Sequence, residues 1–378
     1  MALVFDQINA GAAQTHALVI GVGGYRYLAD GEEMVEQNLE NVGLLGQLTS
    51  PPLSAAAFAK DMIGRAGRWR AKLGSVELLL SPAPGQMVEP INGVTPERAT
   101  IAHIRKAFRA WRRRCEARPE NMAVLYFCGH GLEKKEQHLL AEDFGADPDM
   151  PWLGAFAFDS TRLAMRRAQV DTQLYFIDAC RKITAGMLKK EPTAIPLADF
   201  DMTAKESPYF LTLKAAAGNE AAFGPKNGVS YFTQALIRAL DGAAASQPEG
   251  EWVVETGELA GRMTTILRMV KESEGFAGRC AASSVDNTVI LSDVEPKVRL
   301  TLACDPEAAN AAVALRCGAV NAAEDDILKK EGGPWTFEVD PGQYLAEAIF
   351  SNGGFKNVKR NIFAMPPLQR PPLKCGLP

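Results

Sequence analysis

The sequence predicts an α/β fold on a mostly parallel sheet, followed by a small all-β sandwich domain. Short apolar runs recur through the first 293 residues and stop at glycines or polar residues, as fully buried parallel strands do. Helical patterns separate these runs, and strands alternating with helices imply a parallel sheet covered on both faces. After about Glu295 the helical period disappears and short alternating runs take over. The expected division is 1–293 for the α/β domain and 294–378 for the sandwich.

Taken in order, the predicted strands are His16–Val22, Val76–Leu80, Met122–Cys128, Gln173–Asp178 and Leu211–Ala216. A helix over Ser54–Ile63 follows Pro51-Pro52. Thr95-Pro96 reads as N-cap and first residue of a long helix. Its apolar stripe is Ile101, Ile104, Phe108, Trp111 and Cys115. Further helices are expected over Ser160–Ala168, Tyr231–Leu240 and Glu258–Ser273. In the last 80 or so residues, Trp335–Val339, Pro341-Gly342 and Tyr344–Ala348 read as strand, turn and strand. Loops are expected over 181–208, 218–229 and 242–251.

Composition narrows the function classes. With 47% hydrophobic and 23% charged residues the chain is an ordinary globular protein. A net charge of −4 gives no global attraction to nucleic acid or anionic membrane. No run reaches the roughly 18 apolar residues that span a bilayer. The first residues lack a basic region ahead of their apolar stretch, so no secretory leader is expected. Seven cysteines without paired spacing suggest free thiols in a reducing, cytoplasmic setting, and no Cys304–Cys317 disulfide is expected. Gly21, Gly23 and Gly24 lack the final glycine of a dinucleotide fingerprint and read as a turn. The basic residues from Arg98 to Arg114 leave the apolar stripe intact, so they read as a solvated face rather than a nucleic-acid site. His130 and His138 have no third ligand at metal spacing, and no metal or cofactor is expected.

Two predicted strand ends carry chemistry. One runs through Tyr126, Phe127 and Cys128 into Gly129-His130-Gly131; the other runs through Phe176 and Ile177 into Asp178-Ala179-Cys180. In an open α/β sheet, ligands bind outside the carboxyl ends of the strands. A His and a Cys there can face one crevice, where imidazole can activate the thiol and carry its proton to a leaving amine. The backbone N–H groups of Gly131 and Cys180 are the candidate oxyanion donors. Cys128 reads as core, with a place in the pocket wall as the alternative.

These residues resemble the caspase and metacaspase family of cysteine peptidases. His130 precedes Cys180 by 50 positions, the spacing already tabulated for caspases. The likeness spans about residues 14–293 and includes Leu139–Asp143, Ala217–Ala221 and Gly228–Thr233. It implies a three-layer core with a six-stranded sheet, peptide-bond hydrolysis by His130 and Cys180, and a thioacyl-enzyme intermediate. Caspases carry Gln two residues before the nucleophile; this chain carries Asp178, as metacaspases do. A carboxylate there favours Arg, then Lys, as the residue before the scissile bond (P1). The resemblance adds Asp143 to this S1 pocket beside Asp178 and Cys128, while Ser54 replaces the usual helix-start acid. The acid-rich calcium loop of many metacaspases has no counterpart in Leu132–His138 (LEKKEQH), so calcium dependence is not expected. The family's cleavable linker corresponds to 181–208, with Lys189 and Lys190 as candidate self-cleavage points. Latency until an upstream protein activator arrives, and a bacterial stress or antiviral role, follow by analogy only. The competing class is a pseudoenzyme or peptide-binding scaffold; peptidyl-arginine chloromethylketone labelling of Cys180 would distinguish the two.

Overall fold

The computed structural model describes residues 3–42, 45–180, 191–200, 203, 206–215, 224–271, 279–351 and 353–377. The chain divides into two compact units: residues 1–237 with 255–292, and residues 238–254 with 293–378. No helix among the described residues is long and apolar enough to cross a membrane.

The first unit is an α/β fold on a seven-stranded mixed sheet. Its strands are β1 (Leu3–Asp6), β2 (Thr15–Val22), β3 (Leu73–Ser81), β4 (Met122–Gly129), β8 (Thr172–Ala179), β9 (Tyr209–Lys214) and the strand Ala281–Val285, in the order β1-β3-β2-β4-β8-β9 and then Ala281–Val285. The five central strands are parallel; β1 and Ala281–Val285 run antiparallel at the edges. Thus the expected six strands are seven. Both edge strands escaped the sequence pattern because β1 is only four residues long and Ala281–Val285 is mostly exposed, with no apolar run. A small antiparallel sheet of β5 (Gly131–Lys134), β6 (Glu136–Leu140) and β7 (Ala155–Ala157) follows β4 directly.

The central strands bury alternate side chains on opposite faces. Over one face, helix α2 (Ser50–Gly64) sets Phe58 against Tyr126 and Phe176, with ring centroids 4.7 and 5.7 Å apart. The other face packs Leu18, Leu125 and Phe127 into a core with Phe108 and Trp111 of helix α3 (Ile101–Cys115). Gly21 lets α2 lie close on β2, because a Cβ there would stand 2.7 Å from the Pro51 carbonyl oxygen. The expected start of α3 at Thr95 is corrected to a Thr100 cap, whose side chain accepts the His103 N–H. The preceding segment is instead spent on β3: the Glu97 carbonyl accepts the Leu80 N–H at 3.0 Å, and the Ala99 N–H reaches Ser81 Oγ at 2.8 Å.

The second unit holds two four-stranded sheets around one core. Strand Val298–Asp305 pairs with Trp335–Val339, Leu368–Gln369 and Pro372–Lys374. Strands Leu328–Glu331, Ala314–Ala319, Gly342–Ile349 and Val358–Ala364 form the other sheet. Val298, Leu300 and Leu302 from the first meet Leu315, Ala346, Ala348 and Ile362 from the second. The expected strand–turn–strand at Pro341 is present, but its two strands do not pair with each other. Trp335–Val339 and Gly342–Ile349 belong to different sheets, so the turn crosses the sandwich. Cys304 and Cys317 lie in this core as free thiols.

Candidate active site

Parallel pairing of β4 with β8 sets Cys128 opposite Asp178 and Gly129 opposite Ala179. His130 and Cys180 are the next residues out, at adjoining strand ends. Both line a cavity of about 370 Å³ together with Cys128, Gly129 and Asp178. Gln47 to Pro51, ahead of and at the start of α2, form a second wall, and Gly224, Pro225, Lys226 and Ser230 a third.

The His130 ring is held from several sides. Its Nε2 lies 2.8 Å from the Gly46 carbonyl oxygen. A carbonyl can only accept, so Nε2 carries the hydrogen and Nδ1 keeps a lone pair. Burial holds this imidazole below its ordinary pKa, outweighing the Gly46 hydrogen bond. The ring is thus neutral near pH 7, as a base must be. Tyr25 packs its ring 4.7 Å from that of His130, and its hydroxyl oxygen accepts the His130 N–H at 2.6 Å. Gln47 in turn accepts the Tyr25 N–H at 2.8 Å and donates to the Tyr25 and Ala29 carbonyls at 2.9 and 2.8 Å. This clamp fixes the segment that presents the Gly46 carbonyl.

Asp178 is only 3% exposed at the cavity floor. Its Oδ2 accepts hydrogen bonds from the Ser230 hydroxyl and, at 2.9 Å, from Thr233 Oγ1. Tyr126 OH adds a 2.5 Å contact with Thr233 Oγ1. The Cys128 thiol makes a further side-chain contact with this carboxylate. Cys128 lies beside it. Burial first, then the negative charge of Asp178, push the Cys128 thiol well above its ordinary range. Cys128 therefore stays protonated and is no rival nucleophile.

Gly131 opens β5 and packs against the end of β8. A Cβ at Gly131 would stand 2.6 Å from the Cys180 carbonyl oxygen and 3.0 Å from Ala179 Cβ, so glycine permits this approach. The structure thus brings together His130, Cys180, Cys128 and Asp178 and sets Gly131 alongside. It places Asp143 elsewhere: its Oδ1 accepts the Ile101 N–H at 2.8 Å at the start of α3, and it does not line the cavity. Ser54 is fully buried; its Oγ donates to the Ser50 carbonyl and accepts the Ser230 N–H, both at 2.9 Å. Lys189, Lys190 and Ala217–Ala221 lie outside the described residues. Tyr25, Gln47 and the Gly46 carbonyl were invisible to sequence reasoning. Nothing in their spacing connects them to His130, which is 105 positions from Tyr25.

A family model for the caspase domain (Peptidase_C14) matches residues 15–286. An uncharacterized protein, y4kE, of Sinorhizobium fredii is 31% identical over 237 residues, covering 61% of this chain and 68% of that protein. Among solved structures, a Geobacter sulfurreducens protein is similar at 14% identity and a TM-score of 0.41, over 72% of this chain and 93% of that one. The structure of pro-sf-caspase-1 is similar at 11% identity and a TM-score of 0.40, over 72% and 92%.

Proposed function

The chain belongs to the caspase-domain family, and from that premise we propose that it is a cysteine endopeptidase cleaving after basic residues, Arg before Lys. The observation that carries the reading is the sharing of one cavity by His130, Cys180 and Asp178. In this reading His130 Nδ1 removes the Cys180 thiol proton, and the thiolate adds to the scissile carbonyl carbon. The oxyanion receives the N–H groups of Gly131 and Cys180. The imidazolium then gives its proton to the leaving amine as the C–N bond breaks, leaving a thioacyl-enzyme. Water, deprotonated by the same ring, releases the acid and restores the thiol. Asp178 supports the basic preference, since a carboxylate lining the cavity matches a guanidinium in bidentate fashion. Latency, an upstream activator and self-cleavage at Lys189 or Lys190 complete the reading; the raised Cys128 pKa supports Cys180 as the thiol that reacts.

Fluorogenic peptides ending in Arg, Lys or Asp test it. Arg peptides should be cleaved fastest, and Cys180→Ala should lower kcat by at least about 10⁴-fold, as loss of a nucleophile does elsewhere. Faster cleavage after Asp would overturn the role of Asp178. Equal turnover by Cys180→Ala would overturn the whole reading.

A further inference from the structure

The cavity wall opposite His130 carries a charge that peptide hydrolysis does not use. Among the described residues lining the cavity, Asp178 is the only carboxylate and Lys226 the only ammonium. Lys226 sits in a tight turn: the Gly228 N–H donates to the Pro225 carbonyl at 3.1 Å, with Asn227 at φ 58°. That turn is tied down. The Asn227 N–H donates to Thr49 Oγ1 at 2.9 Å, and the Ser230 N–H to Ser54 Oγ at 2.9 Å. Gly224 lies so close to α2 that a Cβ would stand 2.5 Å from Ser50 Oγ. The backbone of Lys226 is therefore fixed at the cavity, while its exposed side chain makes no hydrogen bond or ion pair among the described residues.

A cation carried on a fixed backbone beside an anionic floor makes the cavity dipolar. We propose that Lys226 determines specificity by pairing with an Asp or Glu side chain next to the basic P1 residue, so that the substrates are proteins with adjacent acidic and basic residues. The proposal rests on the peptidase reading above and narrows its substrate class. A basic P1 side chain satisfies Asp178 at the floor, and its acidic neighbour meets the ammonium at the wall. Because Lys226 is exposed, the pair is solvent-screened and its effect modest. It also fades as salt rises.

The test compares peptides with Asp, Glu or Gly flanking a P1 Arg on either side, at low and high salt, for wild type, Lys226→Ala and Lys226→Glu. The readout is the ratio of kcat/KM for the acidic peptide over the Gly peptide within each enzyme. Wild type should favour an acidic neighbour about two- to fivefold, the range an exposed ion pair supplies. Lys226→Ala should bring the ratio to one, and Lys226→Glu should take it below one. Cys180-dependent cleavage with the same ratio in all three enzymes overturns the proposal and leaves the peptidase reading intact. Faster cleavage of every peptide alike by Lys226→Ala also overturns it, since Lys226 would then block the cavity itself. Absence of Cys180-dependent cleavage of any peptide overturns the peptidase reading, and this proposal with it.

Discussion

In the starting half of the central sheet, His16 and Glu77 lie buried on β2 and β3. At the other end, His130 and Asp178 lie at the ends of β4 and β8 and line a cavity. Each region holds an imidazole and a carboxylate, yet the surroundings differ. Glu77 is fully buried and paired with Arg114 from the last turn of α3, and His16 Nδ1 rests 2.9 Å from Ser75 Oγ. There the charge is paired with an internal cation through one carboxylate oxygen, while Glu77 Oε1 lies buried without a hydrogen bond among the described residues. Asp178 instead meets hydroxyl groups and an open space, and His130 meets a backbone carbonyl. The same residue types serve stability where an internal cation pairs the buried carboxylate and can serve chemistry where the carboxylate lines a cavity.

Removing the cation should break the paired region hardest. Arg114→Ala leaves the Glu77 carboxylate buried without its partner, so unfolding free energy should fall by about 3–5 kcal/mol. Urea denaturation measures this, and a loss below about 1 kcal/mol would mean that Glu77 is not paired as described. Acid should strain the same region next. Burial, then the Arg114 charge, lower the His16 pKa to about 4, whereas in the unfolded chain it titrates near 6.5. As pH falls, the unfolded chain therefore binds the proton first. The stabilisation is complete above about pH 6.5 and is lost down to pH 4, up to about 3 kcal/mol. Denaturation across that range should show the limb in wild type and flatten it in His16→Gln.

The open region should respond in chemistry. Gly131→Ala pushes a methyl group into the Cys180 carbonyl, and displacement of a reacting group by about 1 Å costs on the order of 100-fold. Peptidase kinetics beside circular dichroism should show that loss with secondary structure retained. Unfolding without selective loss of turnover would erase the contrast between the two regions.

Much of this was legible beforehand, for physical reasons. Strands buried on both faces are mostly apolar, so β2, β3, β4 and β8 announce themselves. His130 and Cys180 stand at two such strand ends, His130 between glycines, and the resemblance carried by Gly129–Gly131 and Asp178–Cys180 added the expected activity class. Elements whose form depends on neighbours were misread or missed. Thr95 looks like a helix cap, but residues 97–99 are recruited by β3. The strand–turn–strand over Trp335–Ala348 is read correctly, but local alternation cannot say which sheet each strand joins. Asp143 was expected in the pocket by its place in the chain, and lies instead at the start of α3.

The sequence alone determined the central strands, their helical covers, and the residue types at the ends of β4 and β8, because burial periodicity and strand-end placement are local properties. Tertiary structure decided what surrounds those residues: the Gly46 carbonyl on His130, the hydroxyl groups on Asp178, the tethered turn of Lys226. Hydrogen bonds between segments as much as 178 positions apart depend on how the layers meet in space, and no local pattern encodes that.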